Sequence, residues 1–373
     1  MNIGAGFRRC LRPLAQLAAA RGITLYAVGG CVRDGLRGAP VRDIDLVVEN
    51  DARALARACV RRAGGSCEIF DRFGTVRLLL KGGYRVDIAR ARTEVYPAPA
   101  QLPVVRPASL AEDLRRRDFT VNAMARSLTE RGAGQLIDPY GGASDLRARR
   151  LRTLHPASFR DDPTRIFRAA RYAGRLGFAI ERGTCERLAA AVHQGLPRRL
   201  SRERVRQELV RILEERAPAP AMRRLRVWNM LPVLHPRFRW PRKAQAPASA
   251  HVRLGLCACA LSRQDGREFL RSLPLARAVQ AALALAVDLR HARRTPREAP
   301  PPLALGVLRA QFPDLPASAF GPLFVGGADL RRAGLAPGEA YARWLERAAR
   351  RQWRGADRRR FEARAWLKES LKP

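Results

Sequence analysis

Residues 23–48 read ITLYAVGGCVRDGLRGAPVRDIDLVV, and this stretch decides the predicted fold. An apolar run ends at Gly29 and Gly30, a short helical turn follows, and acidic and apolar residues then alternate through Asp43 and Asp45. The pattern predicts a strand, a glycine turn, a helix and a second strand in that order. Because side chains alternate between the two faces of a strand, Asp43 and Asp45 lie on one face.

The rest of the chain predicts a mixed-sheet domain followed by helices, so the expected fold class is α+β. The next elements are a helix at about Ala52 to Arg62 and strands at Cys67 to Phe70, Thr75 to Leu80 and Arg85 to Ala89. Gly82 and Gly83 are typical of a hairpin. Residues 92–110 hold four prolines and little periodicity, which predicts a mobile loop. Predicted helices follow at Pro163 to Leu176, Cys185 to Val192, Ser201 to Leu213 and Pro220 to Trp228.

Composition favours a nucleic-acid partner. The 373 residues carry 71 Lys and Arg against 34 Asp and Glu, and a net charge of +37 attracts polyanions. High-GC coding bias explains the choice of Arg over Lys but not this excess. The seven cysteines lack zinc-site spacing and are expected to be free thiols. No apolar run is long enough to span a bilayer, so a soluble, cytoplasmic protein is expected.

The D-I-D strand offers two carboxylates side by side, a geometry suited to one or two Mg²⁺ ions. Two ions held by Asp43 and Asp45 would lower the pKa of an attacking 3′-hydroxyl and neutralise charge on a triphosphate. Asp87 is a candidate third catalytic acid, provided that its strand pairs with theirs in the right register. A solvated strand face is the alternative for all three acids.

Gly29 and Gly30 let backbone N–H groups approach phosphate oxygens without an intervening Cβ. Arg33 lies one turn into the following helix and is a candidate phosphate ligand. The G-G-C-V-R-D turn followed nine residues later by D-I-D favours a nucleotide site more strongly than either motif alone. Asp34 has a structural alternative, in which it pairs with Arg33 or Arg37 and stabilises the turn.

Three arginines precede an acid in R-R-R-D-F-T-V-N-A, residues 115–123, where a helix is expected to start. Three arginines are unfavourable beside a positive helix N-terminus, so an anion such as a triphosphate is expected there, with Arg117 among its ligands. Asp118 would accept hydrogen bonds from ribose hydroxyls, with Asn122 one turn further on the same face. The alternative is a basic flank with Asp118 or Thr120 as the helix cap.

D-D-P-T-R-I-F-R, residues 161–168, opens the first long helix. Cytosine and adenine present an amino donor beside a ring-nitrogen acceptor, whereas uracil and guanine present the reverse. A carboxylate at Asp162 beside a guanidinium at Arg165 would accept C and A and leave unpaired groups against U and G. A helix cap with a salt bridge to Arg165 is the structural alternative. Arg168 and Arg171 continue a basic stripe that is expected to face phosphate.

Five segments in this order resemble the class II tRNA nucleotidyltransferase and bacterial poly(A) polymerase family. They are the G-G-x-V-R-D turn with D-I-D, R-R-D-F-T-x-N-A, I-D-P-Y-G-G-x-x-D-L (Ile137 to Leu146), D-D-P-x-R-I-x-R-A-x-R-Y-A (Asp161 to Ala173) and Leu200 to Leu209. Asp161 departs from the family's commoner glutamate but keeps the acid. The resemblance covers about residues 23–215.

The resemblance implies a polymerase-beta-like nucleotidyltransferase head, a neck that recognises the base, and a helical body and tail that grip the tRNA acceptor end. The expected bounds are 1–150 for the head, 151–240 for the neck and 241–373 for the body and tail. The family's site residues fall on the metal ligands Asp43 and Asp45, the ribose-binding acid Asp118 and the base-reading pair Asp162 and Arg165. The basic helical body is expected to bind RNA, through residues that the sequence does not single out.

The predicted function is template-independent addition of C-C-A, from CTP and ATP, to the 3′ end of tRNA by two-metal nucleotidyl transfer. The full length of the loop 92–110 favours terminal A addition, since the family's C-C-only members resemble the others with that loop shortened. An enzyme adding only C-C or only A, a poly(A) polymerase and a non-catalytic RNA-binding relative are the alternatives. Retention of the D-I-D acids and of Asp162 and Arg165 argues against the last. Neither a membrane nor an obligate protein partner is expected.

Overall fold

The computed structural model describes residues 5–41, 43–49, 51–70, 75–80, 84–129, 134–245 and 248–371. The chain divides into two units, Met1–Leu200 and Ser201–Pro373. The first combines a mixed sheet with helices, and the described part of the second is helical, so the predicted α+β fold class is confirmed. The predicted hairpin glycines Gly82 and Gly83 lie outside the described residues.

The first unit is built on a seven-stranded sheet. In chain order the strands of this unit are β1 (Leu25–Val28), β2 (Ile44–Val48), β3 (Ser66–Phe70), β4 (Thr75–Leu80), β5 (Tyr84–Arg90), β6 (Arg92–Val95), β7 (Val104–Pro107), β8 (Ala125–Ser127), β9 (Leu136–Ile137), β10 (Arg150–Leu151) and β11 (Ala179–Ile180). The sheet order is β3-β4-β5-β2-β1-β8-β9, while β6 pairs with β7 and β10 with β11. Within the large sheet β2 and β5 run parallel and the other neighbours are antiparallel.

The helices of the first unit are α1 (Ala5–Ala20), α2 (Gly30–Leu36), α3 (Ala52–Ala63), α4 (Leu110–Arg115), α5 (Gly142–Arg147), α6 (Ser158–Asp161), α7 (Thr164–Leu176) and α8 (Arg182–His193). α3 contacts both α1 and β4. Leu14 of α1, Leu55 of α3 and Leu78 of β4 are fully buried, which places an apolar core between these elements. The glycine turn and the D-I-D strand therefore rest on a packed scaffold.

The segment 92–110 is more ordered than the sequence predicts. Its flanks pair as an antiparallel hairpin, with Arg92 opposite Pro107 and Val95 opposite Val104. β-branched residues favour this pairing, and the paired Pro107 stands at the end of its strand, where a missing N–H is tolerated. The prediction of a mobile loop is wrong for both flanks. It rested on the proline content of the segment and gave too little weight to the strand preference of its valines.

The prediction of a helix after Asp118 is also wrong. The chain makes only a 3₁₀ turn over Thr120–Asn122 and then enters β8. β8 pairs with β1, with Ala125 opposite Val28, and this long-range pairing extends the backbone where local apolar spacing favoured a helix.

The helices of the second unit are α9 (Arg202–Glu214), α10 (Ala219–Val227), α11 (Leu231–Leu234), α12 (Ala250–Cys259), α13 (Arg263–Ser272), α14 (Arg277–Ala292), α15 (Pro302–Gln311), α16 (Gly327–Arg332), α17 (Glu339–Trp353) and α18 (Arg360–Ser370). The predicted helices at 201–213 and 220–228 are confirmed within one or two residues. α12 packs closely on α14 and α15, since a Cβ at Gly255 would lie 2.4 Å from Val307 Cγ2 and 3.0 Å from Leu283 Cδ2.

Candidate active site

The three predicted catalytic acids lie on neighbouring strands. Asp87 on β5 stands opposite Asp45 on β2 in the parallel register, so both side chains project from the same face of the sheet. Asp43 directly precedes β2 and, two residues from Asp45, belongs to that face. The register that the sequence left open therefore places Asp87 beside Asp45.

Arginines hold two of these carboxylates. Arg85 Nη2 donates to Asp43 Oδ1 at 2.8 Å, and Arg77 Nε donates to Asp87 Oδ1 at 2.9 Å. The Asp43 side chain is 66% exposed and that of Arg85 47% exposed, so their ion pair is weak. A divalent cation can therefore replace Arg85 at Asp43 at little cost.

The pKa of Asp45 is raised by its surroundings, which include the neighbouring acids. Its side chain is exposed, yet desolvation by the surrounding protein raises its pKa, opposed by Arg117 and reinforced by Asp87 and Asp43. Carboxylates that disfavour one another's charge are suitable ligands for a divalent cation, and hard oxygen ligands suit Mg²⁺. These carboxylates thus offer ligand atoms of the kind that the predicted metal ions prefer, and they do not all lie within 4.8 Å of one another.

A second group of possible metal ligands lies in the second unit. Among the described residues, only His235, Asp265 and Glu268 bring three possible ligand atoms within 4.8 Å of one another. Arg237 already fills this group, because its Nη1 donates to Asp265 Oδ2 at 3.0 Å and its backbone N–H donates to His235 Nδ1 at 3.3 Å. A cationic side chain there disfavours a metal ion.

The glycine turn brings Arg117 to the start of α2. Gly29 has a φ of 71°, a left-handed conformation that favours glycine, and a Cβ at this position would lie 2.7 Å from Arg117 Nη1. The N–H of Gly29 donates to the carbonyl of Met124 at 3.0 Å, which ties the turn to the start of β8. Gly30 is the first residue of α2. Both predicted glycines thus form the turn that approaches Arg117.

Arg117 is the best placed of the predicted phosphate ligands. Its Nη2 donates to Asp113 Oδ2 at 2.9 Å and its Nη1 to the carbonyl of Asn122 at 3.4 Å. The buried Nε–H has no hydrogen-bond partner in the described part of the chain. An unpaired buried donor costs about 1–3 kcal/mol, and a small movement of the side chain would let a bound phosphate oxygen pair with it.

Arg33 lies behind the turn rather than in it. Its side chain is fully buried, with Nε and Nη2 donating to the two carboxylate oxygens of Asp34 at 2.8 and 2.7 Å and Nη1 donating to Asn122 Oδ1. This is the pairing offered as the structural alternative for Asp34. The geometry favours a supporting role for Arg33 over the predicted phosphate contact, because the side chain is buried and three of its five N–H groups already donate to Asp34 and Asn122.

Asp118 sits at the centre of a buried polar network. Its Oδ1 accepts from the N–H of Phe119 at 2.8 Å and from Asn122 Nδ2 at 3.0 Å, and its Oδ2 accepts from Arg168 Nε at 2.8 Å. Burial alone would raise the pKa of Asp118, but Arg168 and Asn122 outweigh it and lower the pKa to about 2. The structure therefore brings together three predicted nucleotide-binding residues around an ionised carboxylate.

Four arginines surround the ring of Tyr172. The guanidinium carbons of Arg33, Arg168, Arg171 and Arg175 lie 5.3, 5.5, 4.5 and 5.6 Å from the ring centroid. Cation–π attraction offsets part of the repulsion between these cations. The sequence identified the arginine stripe but not Tyr172, although one aromatic residue on the face of a basic helix is a signal of such a cluster.

The candidate base-reading pair lies at the start of α7. Arg165 is 4% exposed; its Nη1 donates to Ser158 Oγ at 2.6 Å and lies 3.3 Å from His155 Nε2, while its Nη2 donates to the carbonyl of Arg116 at 2.7 Å. Asp162 Oδ1 accepts from the first N–H of α7 at 2.9 Å, so the cap proposed as the alternative is present. The cap does not exclude base reading, since a carboxylate accepts several hydrogen bonds.

A cavity of about 460 Å³ opens beside Arg165, with a volume typical of small-ligand sites. Its lining includes Tyr96 and Glu94 of the hairpin segment and His155 of the segment before α6. Glu94 anchors the hairpin, because its Oε1 accepts from Arg116 Nη1 at 2.8 Å and its Oε2 from the Tyr96 hydroxyl at 3.0 Å. The hairpin thus reaches the residue whose carbonyl holds Arg165.

Asp113 is a site residue that the sequence analysis missed. It is fully buried and accepts from Arg116 Nη2 at 2.7 Å and from Arg117 Nη2 at 2.9 Å. Burial alone would raise the pKa of Asp113, but these arginines hold it below its ordinary value. Asp113 therefore supplies part of the negative charge that was expected from a bound anion. Its position three residues before Arg116 and four before Arg117 was the sequence signal for these ion pairs.

Comparison with known proteins places this geometry in a family. The chain matches the model described as poly A polymerase head domain over residues 25–152 and the model described as probable RNA- and SrmB-binding site of polymerase A over residues 177–240. No helix among the described residues is both long and apolar enough for a membrane span.

The A-adding tRNA nucleotidyltransferase of Geobacter sulfurreducens is 42% identical over 226 residues, which are 61% of this chain but 26% of that protein. The chain thus spans about a quarter of the length of that relative. The CC-adding tRNA nucleotidyltransferase of Deinococcus radiodurans is 34% identical over 357 residues, 93% of this chain and 89% of that protein. The solved Thermotoga maritima CCA-adding enzyme complexed with tRNA has 27% identity and a TM-score of 0.68, covering 99% of this chain and 96% of that one.

The matched head model contains the acids, the glycine turn and the arginine–acid motif described above, and the Deinococcus relative matches along nearly its whole length. The chain belongs to the class II tRNA nucleotidyltransferase and bacterial poly(A) polymerase family.

Proposed function

We propose that this protein transfers nucleotides from CTP and ATP to the 3′ end of tRNA and completes the C-C-A sequence. The observation that carries the proposal is the strand register that sets Asp87 beside Asp45. Arg117, which acts on the charge of Asp45, stands at the glycine turn with a buried N–H unpaired among the described residues. One site then offers carboxylates for a divalent cation and donors for a triphosphate.

In the proposed reaction the 3′-hydroxyl oxygen of tRNA forms a bond to the α-phosphorus of the nucleotide. The bond from that phosphorus to the bridging oxygen breaks, pyrophosphate leaves, and the hydroxyl loses its proton. Mg²⁺ at Asp43 and Asp45 would supply charge neutralisation and a lower pKa of the hydroxyl. Arg117 and the backbone N–H groups of the turn would hold the phosphates.

Nucleotide selection is proposed to follow from Asp118, which would bind the ribose, and from Asp162 and Arg165, which would bind the base. Asp118, ionised and tied to Asn122, would accept hydrogen bonds from the ribose hydroxyls. Asp162 and Arg165 would present an acceptor and a donor to the base edge, which matches cytosine and adenine and mismatches uracil and guanine. The guanidinium of Arg165 is buried and fixed by hydrogen bonds, which supports this role. A donor that is already oriented can distinguish between bases without a loss of side-chain freedom on binding.

We propose that the second unit binds RNA through a basic face of α17, within the body and tail region 241–373. Arg343, Arg347, Arg350 and Arg354 are all exposed and recur at spacings of four, three and four residues, so they share one helix face. The side chains of Arg343 and Arg354 form no ion pair or hydrogen bond within the described part of the chain. Such a stripe spans roughly 16 Å and can contact successive phosphates. The proposed head (1–150) and neck (151–240) precede this region.

A partial enzyme is the second candidate. The two relatives favour it, since one is named for adding A and the other for adding C-C. Terminal A addition is favoured instead by the length of the segment 92–110, which is an argument from the sequence alone.

Incubation of the purified protein with each labelled nucleotide and with tRNA lacking three, two or one of the terminal residues tests the proposal. A complete enzyme adds C to the tRNA that lacks three or two residues and adds A to the tRNA that lacks one. Addition restricted to C or to A would establish a partial enzyme. Absence of addition to every tRNA, with intact binding, would overturn the proposed function.

A further inference from the structure

A histidine outside the predicted site contacts the candidate base-reading arginine. His155 lies between β10 and α6, and its Nε2 is 3.3 Å from Arg165 Nη1. Arginine has only donors, so Nε2 must be the acceptor, and the ring proton is therefore on Nδ1. His155 is neutral in this contact.

His155 is one of three acceptors that hold the guanidinium. Ser158 Oγ also accepts from Nη1, and the carbonyl of Arg116 accepts from Nη2. A guanidinium is a rigid planar fork, and one acceptor at each Nη atom leaves it free to rotate about the line that joins them. The third acceptor fixes the plane that a base edge would meet. His155 and Ser158 lie three residues apart and Arg116 directly follows α4, so the orientation of Arg165 is a property of the tertiary fold.

Of these three acceptors, only His155 changes its hydrogen-bonding capacity on protonation near neutral pH. The charged groups that act on its ring are Arg165 of α7, Arg115 of α4, and Asp161 and Arg160 of α6. Burial and Arg165 lower the pKa of His155, and Asp161 opposes them. The cavity beside the ring is also lined by the titratable or charged groups Glu94, Tyr96, Glu112 and Arg116. The surroundings therefore keep the ring in the accepting form.

We propose that His155 is a positioning residue for nucleotide selection, which holds Arg165 in the plane that matches cytosine or adenine. This inference rests on the proposed function, because selection requires Arg165 to face the base. Loss of the acceptor leaves the guanidinium held on Ser158 and Arg116 alone and free to tilt. Discrimination against UTP and GTP then weakens, while addition of C or A continues.

The test compares His155→Ala with His155→Gln, whose side-chain oxygen keeps an acceptor, and with His193→Ala at an exposed position on α8. The readout is the ratio of incorporation rates for CTP and ATP over UTP and GTP, which is independent of the fraction of active enzyme. His155→Ala is expected to lower the ratio by about fivefold or more. His155→Gln and His193→Ala are expected to keep it near the wild-type value.

A double variant distinguishes positioning from a separate structural effect. If His155 acts through Arg165, the variant His155→Ala with Arg165→Ala discriminates no worse than Arg165→Ala alone. An unchanged ratio in His155→Ala, or a further loss in the double variant, overturns the inference. A wild-type protein that adds no nucleotide at all would instead overturn the proposed function, so the two failures are distinguishable.

Discussion

Asp118 and Arg168 show how the first unit keeps a charge buried. The carboxylate is 6% exposed and remains ionised, because Arg168 and Asn122 neutralise it and satisfy its oxygens. Removing one partner of a buried pair typically costs about 3–5 kcal/mol, since the other charge is left uncompensated. Substitution of Arg168 would therefore report mainly on folding, whereas the exposed acids report on chemistry.

Asp45→Asn is the residue change that bears on catalysis. Incorporation is expected to fall by about three orders of magnitude or more, because the proposed Mg²⁺ site loses one of its carboxylate ligands. RNA binding should stay near normal, since the chain keeps a large positive charge. Single-turnover incorporation and a filter-binding isotherm measure the two quantities, with Glu186→Gln on the exposed face of α8 as control. Substantial residual incorporation would contradict the metal assignment.

The pH dependence of stability reports on His155. Its pKa in the folded protein lies below the ordinary value of 6.5, so between these two values the unfolded chain binds a proton that the folded chain does not. The free energy of unfolding therefore rises with pH through this window and falls on acidification below about 6.5. His155→Gln has no titrating ring at this position. The Tm of the wild type should therefore decrease more than the Tm of the variant when the pH is lowered from 8 to 5. Parallel Tm curves would show that the folded protein does not resist protonation of His155.

At the scale of elements, the strand pattern predicted which face carries the acids but not which strand lies beside them. Alternation in Asp43 to Val48 follows from the sequence alone, whereas the pairing of Asp45 with Asp87 depends on a crossover through α3, β3 and β4. The hairpin at 92–110 was missed for a related reason, because local proline content says nothing about a partner strand. Motif residues could thus be predicted, and the spacing of Asp113 before Arg116 and Arg117 was a local signal for it. His155 could not be predicted, because its contact with Arg165 depends on the tertiary fold.

The hairpin yields a prediction at this scale. Deleting Ala98 to Leu102 keeps the β6–β7 pairing and Glu94 but shortens the tip. C addition should continue and A addition should fall by about tenfold or more, if the full-length segment is what adapts the site to the third nucleotide. Rates on tRNA ending in C and in C-C measure this, with a Gly/Ser replacement of the same five positions as a length control. Equal loss of both additions would show that the tip has no switching role.

At the scale of the whole molecule, part of the positive charge is structural. Arg202 donates to the carbonyls of Val233, Leu234 and Ser272, and Arg253 to those of Leu213 and Glu215. These arginines close helix ends within the second unit. Net charge therefore predicted a nucleic-acid partner but not which arginines meet it, because partnered and unpartnered arginines look alike in the sequence.

The basic face of α17 predicts a change in salt dependence. Each phosphate contact contributes about 0.7–0.9 to the slope of log affinity against log salt. Arg343→Gln with Arg354→Gln should therefore lower the slope for tRNA by about 1.4–1.8. Arg182→Gln with Arg198→Gln, at exposed positions of the first unit, removes the same charge and serves as control. An equal effect of both pairs would indicate general charge attraction rather than contact at α17.

The measurement that tests the central claim most directly is nucleotide choice in Arg165→Ala. On tRNA lacking its terminal residues, the ratio of incorporation for CTP and ATP over UTP and GTP is compared with that of the wild type. Loss of one paired donor corresponds to about 1–3 kcal/mol, so the ratio should fall by about five- to hundredfold. A lowered Tm is expected in either case, because Ser158 and the Arg116 carbonyl lose their donor. An unchanged ratio with only a lowered Tm would contradict base reading by Asp162 and Arg165 and leave them a structural role.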